Sequence, residues 1–173
     1  VEKDERLGPL SGQYFHTSYG KAATMYVMLD DLGHTMQGAV FSLPLKMESG
    51  TLRVAKNPLD GLLYYSGLTG WQAGATRDGS IQRLRHTGEK GIYLQNAIAR
   101  KGRLELTFNT PVKEVSEEGW EATAWNYRWS KEYGSPHLKV SEPRVEGVDT
   151  FRIKKLDRTN DGKKIIVHIP DLQ

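Results

Sequence analysis

The stretch RLELTFN, residues 103–109, alternates strictly between polar and apolar side chains. Successive side chains of a β-strand point to opposite faces, so this pattern predicts a half-buried strand. The side chains expected to point inward and to be buried are Leu104, Leu106 and Phe108. Those expected to point outward are Arg103, Glu105 and Thr107. The second half of the chain is therefore expected to have a sheet with one apolar face.

Strand-like runs recur on both sides of this stretch. Asn160-Asp161-Gly162 separates the runs 150–156 and 163–170, and Asp-Gly supplies the positive φ angles that a tight hairpin turn needs. The earlier apolar runs are 13–17, 24–29, 38–43, 51–55, 62–66 and 80–85. A spacing of about 10 to 13 residues is typical of all-β chains. No amphipathic helix of three turns is found, so we predict an all-β protein of small antiparallel sheets.

The pattern of strand-like runs changes at Gly88-Glu89-Lys90-Gly91, which predicts a boundary between a region 1–89 and a region 90–173. The first region is expected to form partial propeller-like antiparallel sheets, because a propeller blade is a four-stranded meander. It has material for one or two blades, which cannot close a ring. The second region is expected to be an immunoglobulin-like β-sandwich, slightly shorter than the usual ~100 residues.

Composition excludes several classes of site. The chain of 173 residues has no cysteine, so it has no disulfide, thiolate zinc site, cysteine nucleophile or C-x-x-C-H haem attachment. A net charge of +3 is weak evidence for a nucleic-acid partner, and we predict none. No apolar run is long enough to cross a membrane. The polar start at Val1 resembles no signal peptide. The chain also begins without an initiator Met, so we expect a processed product or a piece of a longer protein.

The titratable residues predict no catalytic residue, no metal site and no cofactor. The histidines are never closely spaced along the chain, so a local metal-binding motif is absent. They are His16, His34, His86, His137 and His168. The adjacent carboxylates Glu117 and Glu118 fall in the acidic, turn-like stretch 114–119, and nothing near them suggests general acid–base catalysis.

The stretch WNYRWSKEYGSPHLKV, residues 125–140, has two interpretations. As a strand, it would place Trp125, Tyr127 and Trp129 on one face, where they would fill the sandwich core, and this interpretation is favoured. Trp125 and Tyr127 are then buried, and Trp129 is partly exposed where the strand ends. Alternatively, the aromatic side chains form a platform for a sugar or a nucleotide. The candidate ligand-binding residues here are Trp129, Tyr133 and His137.

A second candidate site is the glycine-rich stretch GLTGWQAG, residues 67–74. It lacks the spacing of a phosphate-binding loop, and no helix follows it. Its glycines allow close passage of backbones, and Trp71 and Gln72 are candidate ligand-binding residues. In a complete propeller, this loop would lie near the mouth of the channel.

Two parts of the chain resemble a known family. They are GAVFSLPLKMESGTLRVAKNPLDGLLYYSGLTGWQAGATRDGSIQRLRHTGEK, residues 38–90, and WNYRWSKEYGSPHLKV with the later LDRTNDGKKIIVHIPDL, residues 156–172. The first resembles the end of the β-propeller in bacterial glucose/sorbosone dehydrogenase-like proteins of the pyrroloquinoline-quinone superfamily, many of which are fused to haem-binding cytochrome c modules. The second resembles the β-sandwich that follows that propeller. The family's quinone-binding His, Gln and Arg cannot be matched here, so no residue is assigned to a cofactor.

Together these observations predict a chain that is not an enzyme in isolation. The leading hypothesis is a non-catalytic, extracytoplasmic bacterial module, periplasmic or at the cell surface. It would dock onto a larger protein that covers its propeller-like sheets, for example as an accessory subunit of a membrane-associated electron-transfer complex. One alternative is the C-terminal portion of a quinone-dependent sugar dehydrogenase. Another is a carbohydrate-binding module that uses the Trp125 face.

Overall fold

The computed structural model describes residues 3–116 and 118–173, so Val1, Glu2 and Glu117 of the predicted acidic turn lie outside the described residues. The chain is all-β, as predicted. The described residues form several small antiparallel sheets, none of them closed, and one 3-10 helix at Glu5–Leu10. Two compact units divide between Asn96 and Ala97, a few residues after the predicted boundary at 89/90.

Six strands form the sheets of the first unit. They are β1 (Tyr14–Ser18), β2 (Ala23–Asp31), β3 (Met36–Lys46), β4 (Gly50–Lys56), β5 (Leu63–Leu68) and β6 (Gly79–Leu84). Their order is β1-β2-β3 in one sheet and β4-β5-β6 in the other, so each sheet is an antiparallel meander of consecutive strands. Each of the six predicted runs in this region lies within or overlaps one of these strands. Both sheets have one strand fewer than a propeller blade.

A small core joins the elements of the first unit. Its buried side chains come from the 3-10 helix, from the loops before β2 and β4, and from β5. They are Leu7, Ala22, Met47, Leu63 and Tyr65. On β2, the buried residues Thr24, Tyr26 and Met28 alternate with more exposed ones, which is the period that a strand imposes.

Six strands are assigned to the sheets of the second part of the chain. They are β7 (Leu94–Arg100), β8 (Arg103–Phe108), β9 (Ala122–Ala124), β10 (Asp149–Phe151), β11 (Lys155–Arg158) and β12 (Lys164–His168). One sheet has the order β11-β12-β8-β7, and β9 pairs with β10 in a two-stranded ribbon. The predicted hairpin at Asn160-Asp161-Gly162 is confirmed: it joins β11 to β12, and Gly162 has a φ of +69°.

The core of the second unit centres on the last strand. Ile165, Val167 and Ile169 are buried there, and the predicted inward side chains of β8 pack against them. The predicted strand over residues 103–109 is confirmed, but Leu104, Leu106 and Phe108 are only partly buried. On the other face of β8, Glu105 accepts a hydrogen bond from Lys164 Nζ at 2.9 Å, and this cation lowers the pKa of the Glu105 carboxyl.

Two sequence predictions for the second region are wrong. The run 150–156 is not one strand, because strand structure is interrupted at residues 152–154. The strands on either side, β10 and β11, belong to different sheets. The stretch 125–129 is not a core strand. β9 ends at Ala124, and only Asn126 makes a further isolated bridge, to Leu138.

Candidate functional site

A long loop carries most of the predicted ligand-binding residues. This aromatic loop, residues 125–148, joins β9 to β10, which pair from Ala124 with Asp149 to Ala122 with Phe151. The two ends of the loop therefore lie side by side at one end of the short β9–β10 ribbon. Connections of this length without regular structure are uncommon in compact domains and are frequently functional.

The base of the aromatic loop is held by specific hydrogen bonds. The Asn126 and Leu138 backbones exchange two hydrogen bonds, with N···O distances of 2.7 and 2.9 Å. Asp149 accepts one hydrogen bond from the Ser141 hydroxyl at 2.6 Å and one from the Ser141 N–H at 2.8 Å, and these lower the pKa of the Asp149 carboxyl. Leu138, which belongs to the loop, is buried. The loop is thus fixed at its base by backbone pairing and by a charged acceptor.

The aromatic side chains of this loop point into solvent. Trp125 is 51% exposed, Tyr127 is 66% exposed and Trp129 is 92% exposed. The prediction that Trp125 and Tyr127 are buried is therefore wrong. The physical reason is that the strand ladder ends at Ala124, so residues 125–129 lack the regular strand conformation that would turn all three aromatic side chains toward a core. The platform interpretation of this stretch agrees better with the exposure of its side chains.

Two of the aromatic side chains are brought together. The Trp125 and His137 rings stack with centroids 4.7 Å apart and an interplanar angle of 26°. Trp129 and Tyr133, both exposed, lie in a smaller loop that is closed by a hydrogen bond from the Arg128 N–H to Ser135 Oγ at 2.9 Å. Trp125 belongs to the platform alternative but is not one of the candidate ligand-binding residues, because the favoured strand interpretation places it in the core.

Trp71 and Gln72 belong to the first unit, in the loop between β5 and β6. This loop is tied to neighbouring segments by backbone hydrogen bonds, including Gly74 N–H to Gly20 O at 2.7 Å and Thr76 N–H to Glu48 O at 2.8 Å. Gln72 has a φ of +55°, which is uncommon for a residue other than glycine. Trp71 is 76% exposed, so an ordered backbone presents its indole ring to solvent.

The sheet β1-β2-β3 has a further feature, an outer face that is apolar. One cross-strand row contains Tyr14, Val27 and Val40, which are paired in register. Strand alternation adds Leu29 and other residues to the same face, opposite buried Tyr26. We call this surface the outer apolar face and define it as Tyr14, Met25, Val27, Leu29, Met36 and Val40.

The outer apolar face departs from the usual pattern of an antiparallel sheet. Such a sheet normally has one apolar face against the core and a polar face in water. Here Val40 is 60% exposed, and Tyr14, Leu29 and Met36 are also exposed. Side chains of directly paired residues lie about 4.5–5.5 Å apart, so the row is contiguous. The run Met25-Tyr26-Val27-Met28-Leu29, apolar at every position, was the sequence signal for a strand with two apolar faces.

No known protein family, curated protein or solved structure matches this chain. Across residues 3–116 and 118–173, no group of His, Asp and Glu side chains is arranged to hold a metal ion. None of the helices described is long and apolar enough to cross a membrane. The function is therefore argued from the two exposed surfaces, the outer apolar face and the aromatic loop.

Proposed function

We propose that this chain is a non-catalytic binding module that docks onto a larger protein through the outer apolar face. The observation that carries the proposal is the apolar cross-strand row of Tyr14, Val27 and Val40, in which Tyr14 and Val40 are exposed and Val27 is partly buried. Contiguous apolar surface on a soluble protein marks an interaction site more often than scattered apolar residues do.

The energetics favour a partner that covers this face. Complete burial of a Val or Leu side chain contributes about 1.5–3 kcal/mol. Val40 and Leu29 are each about half exposed, so each has roughly half of that contribution still to gain. Among the described strands, β3 pairs only with β2 and is therefore an edge strand, which is a template for pairing with another chain. A partner with an apolar surface, or with a strand to add, fits this combination.

The finer parts of the proposal concern architecture and setting. The two three-stranded meanders support an interpretation as partial propeller-like sheets, and the second unit is interpreted as an immunoglobulin-like sandwich. The resemblance of residues 38–90 to the end of a sugar-dehydrogenase propeller supports an extracytoplasmic bacterial location. It also supports a role as an accessory subunit of a membrane-associated electron-transfer complex. In the alternative, the chain is the C-terminal portion of a quinone-dependent sugar dehydrogenase, and the covering partner is the set of remaining blades.

A site-specific crosslinking experiment tests the docking role. A photoreactive amino acid is placed at Val40, and in a matched control at the exposed Glu89 of the same unit. Each protein is irradiated in an extract of the source cells. We expect a discrete crosslinked product from the Val40 position only. An excess of unlabelled wild-type protein should prevent its formation by competition, and an excess of a Val40→Lys variant should not. Equal crosslinking from both positions, or none from Val40, would contradict the proposal.

A second candidate function is carbohydrate binding at the aromatic loop. The observation in its favour is the exposure of Trp129 and Tyr133 in the same loop that carries the Trp125–His137 stack. Amphipathic rings of this kind offer apolar faces with polar edges for a ligand. A titration with oligosaccharides would quench tryptophan fluorescence, and Trp129→Ala should abolish the saturable change. Trp71→Ala, in the other unit, is the control and should retain it.

A further inference from the structure

The first unit contains a cavity that the proposed docking role does not use. Its volume is about 200 Å³, and its walls come from the 3-10 helix, from β3 and from the end of β6. The apolar side chains that line it include Leu7, Leu10, Leu43, Leu45 and Leu84. Leu7 and Leu43 are buried, so this part of the wall belongs to the folded core and is preformed.

A glycine shapes one side of the cavity. Gly8 has a φ of +56° and a ψ of −133°, a conformation that is almost restricted to glycine. A Cβ atom on Gly8 would lie 2.5 Å from the ring of His86, so the missing side chain is what allows the imidazole to pack against the 3-10 helix. The position of His86 at the cavity is thus fixed by the local backbone.

The polar side of the cavity is cationic. Arg85, His86 and Thr87 are consecutive residues that follow β6, and all three line the cavity. No Asp or Glu is among the described residues that line it. Within the described part of the chain, the Arg85 side chain has no hydrogen bond or ion pair. The cavity therefore combines leucine walls with an arginine whose charge is not neutralised by the protein.

We propose that this cavity binds a small amphipathic carboxylate. Its apolar end would occupy the space between the leucine side chains, and its carboxylate would lie at Arg85, with Thr87 as a further hydrogen-bond donor. Arginine forms strong charge-assisted hydrogen bonds with carboxylates. A leucine-lined cavity of about 150 Å³ accommodates a benzene-sized molecule. The present cavity, at about 200 Å³, suits a carboxylic acid with one ring or a short alkyl chain.

The experiment compares three probes of equal shape and different charge. The full chain, labelled with nitrogen-15, is titrated with 3-phenylpropionate, with its neutral amide and with 3-phenylpropylamine. Shifts of backbone amide signals are recorded. We expect saturable shifts around residues 84–87 with the carboxylate and no shifts with the ammonium ion. The amide should bind about tenfold more weakly, because the loss of a hydrogen bond to a charged group changes an affinity by about that factor.

Two variants and one control separate the charge from the cavity. Arg85→Gln should lower the affinity for 3-phenylpropionate about tenfold, to that of the amide. Arg83→Gln changes an exposed arginine of β6 that does not line the cavity, and it should leave the affinity unchanged. Leu45→Trp should block binding, since Leu45 is partly exposed and a larger side chain there fills the cavity without disturbing the core.

Several results would overturn the inference. These are an absence of binding for all three probes, equal affinities for the carboxylate and the amide, shifts that map outside the cavity, or an equal loss of affinity in the Arg83 control. The docking proposal is independent of this outcome, because neither Val40 nor any other residue of the outer apolar face lines the cavity.

Discussion

Replacing Tyr65 by Phe should leave the protein as stable as before or stabilise it. Tyr65 lies on β5 in the core of the first unit and is 2% exposed. Its hydroxyl, like that of Thr24, is buried without a hydrogen-bond partner among the described residues. An unsatisfied buried polar group costs about 1–3 kcal/mol, so its removal should change the free energy of unfolding by between zero and about +1 kcal/mol.

The same substitution should change the response to alkaline pH. Burial raises the pKa of Tyr65 to about 12, and the approach of the Thr24 hydroxyl opposes this to a smaller extent. The two hydroxyl oxygens are in contact without hydrogen-bond geometry. A raised pKa means that the neutral form is favoured by folding. The corresponding stability is complete below the unfolded-state pKa of about 10 and is lost as the pH rises through about 12.

The assay is urea unfolding at about pH 8 and about pH 11. At the higher pH, the wild type should lose about 1 kcal/mol more stability than the Phe variant, which has no Tyr65 hydroxyl to ionise. The chain has no cysteine, so thiol oxidation does not complicate measurements at this pH. The near-ultraviolet absorbance of tyrosinate would report ionisation directly.

Tyr64→Phe is the matched control on the same strand. The Tyr64 hydroxyl donates a hydrogen bond of 2.7 Å to the Asp60 carboxylate, so its removal should cost about 0.5–1.5 kcal/mol. The two neighbouring tyrosines should thus respond with opposite signs. If Tyr65→Phe instead costs more than about 1 kcal/mol at neutral pH, its hydroxyl makes a hydrogen bond of ordinary strength and the reasoning fails. If the wild type and Tyr65→Phe lose the same stability at about pH 11, the Tyr65 hydroxyl is not buried.

Three further predictions concern packing, backbone contact and charge. Ile165→Ala should cost about 2–5 kcal/mol in chemical unfolding, since Ile165 is 2% exposed, and a cost below about 1 kcal/mol would contradict its place in the core. Gly67→Ala should cost about 1–3 kcal/mol, because the new Cβ would lie 2.3 Å from the Gly50 carbonyl oxygen; a neutral result would mean that β4 and β5 pass farther apart. Asp4→Asn should weaken the acid dependence of stability. The Asp4 pKa is lowered by hydrogen bonds from Arg6 and then Lys56, so wild-type stability is present above the ordinary pKa and is lost as the pH falls below it, whereas the variant should show a flatter profile.

Much of the first unit was predictable because its strand pairing joins neighbours in the sequence. Within each of its two sheets, every strand pairs with the next one along the chain, so spacing and turn residues were enough to find β1 to β6. β7 was missed because LQNAIAR, residues 94–100, contains Asn and two Ala, which have little intrinsic preference for strands. Its strand conformation comes from pairing beside β8, which a local pattern does not reveal.

The candidate site was predicted only in part, for a different reason. Alternation shows that Trp125, Tyr127 and Trp129 would share a face in an extended segment, but it carries no information on whether a second layer covers that face. The outcome depends on β9 ending at Ala124, which is a property of its pairing with β10. The cavity beside Arg85 was equally hidden, because its walls come from segments that are far apart in the sequence.

The position of β12 has a consequence for how the chain acquires its structure. The sheets β1-β2-β3 and β4-β5-β6 join consecutive strands, so each can form hairpin by hairpin as the polypeptide emerges from the ribosome. β12, by contrast, lies between β8 and β11 and supplies Ile165 and Val167 to the core. β8 therefore pairs early with β7 on one side only, because its second partner, β12, is synthesised more than fifty residues later. During that interval, the apolar side of β8 is the surface that a chaperone would have to protect.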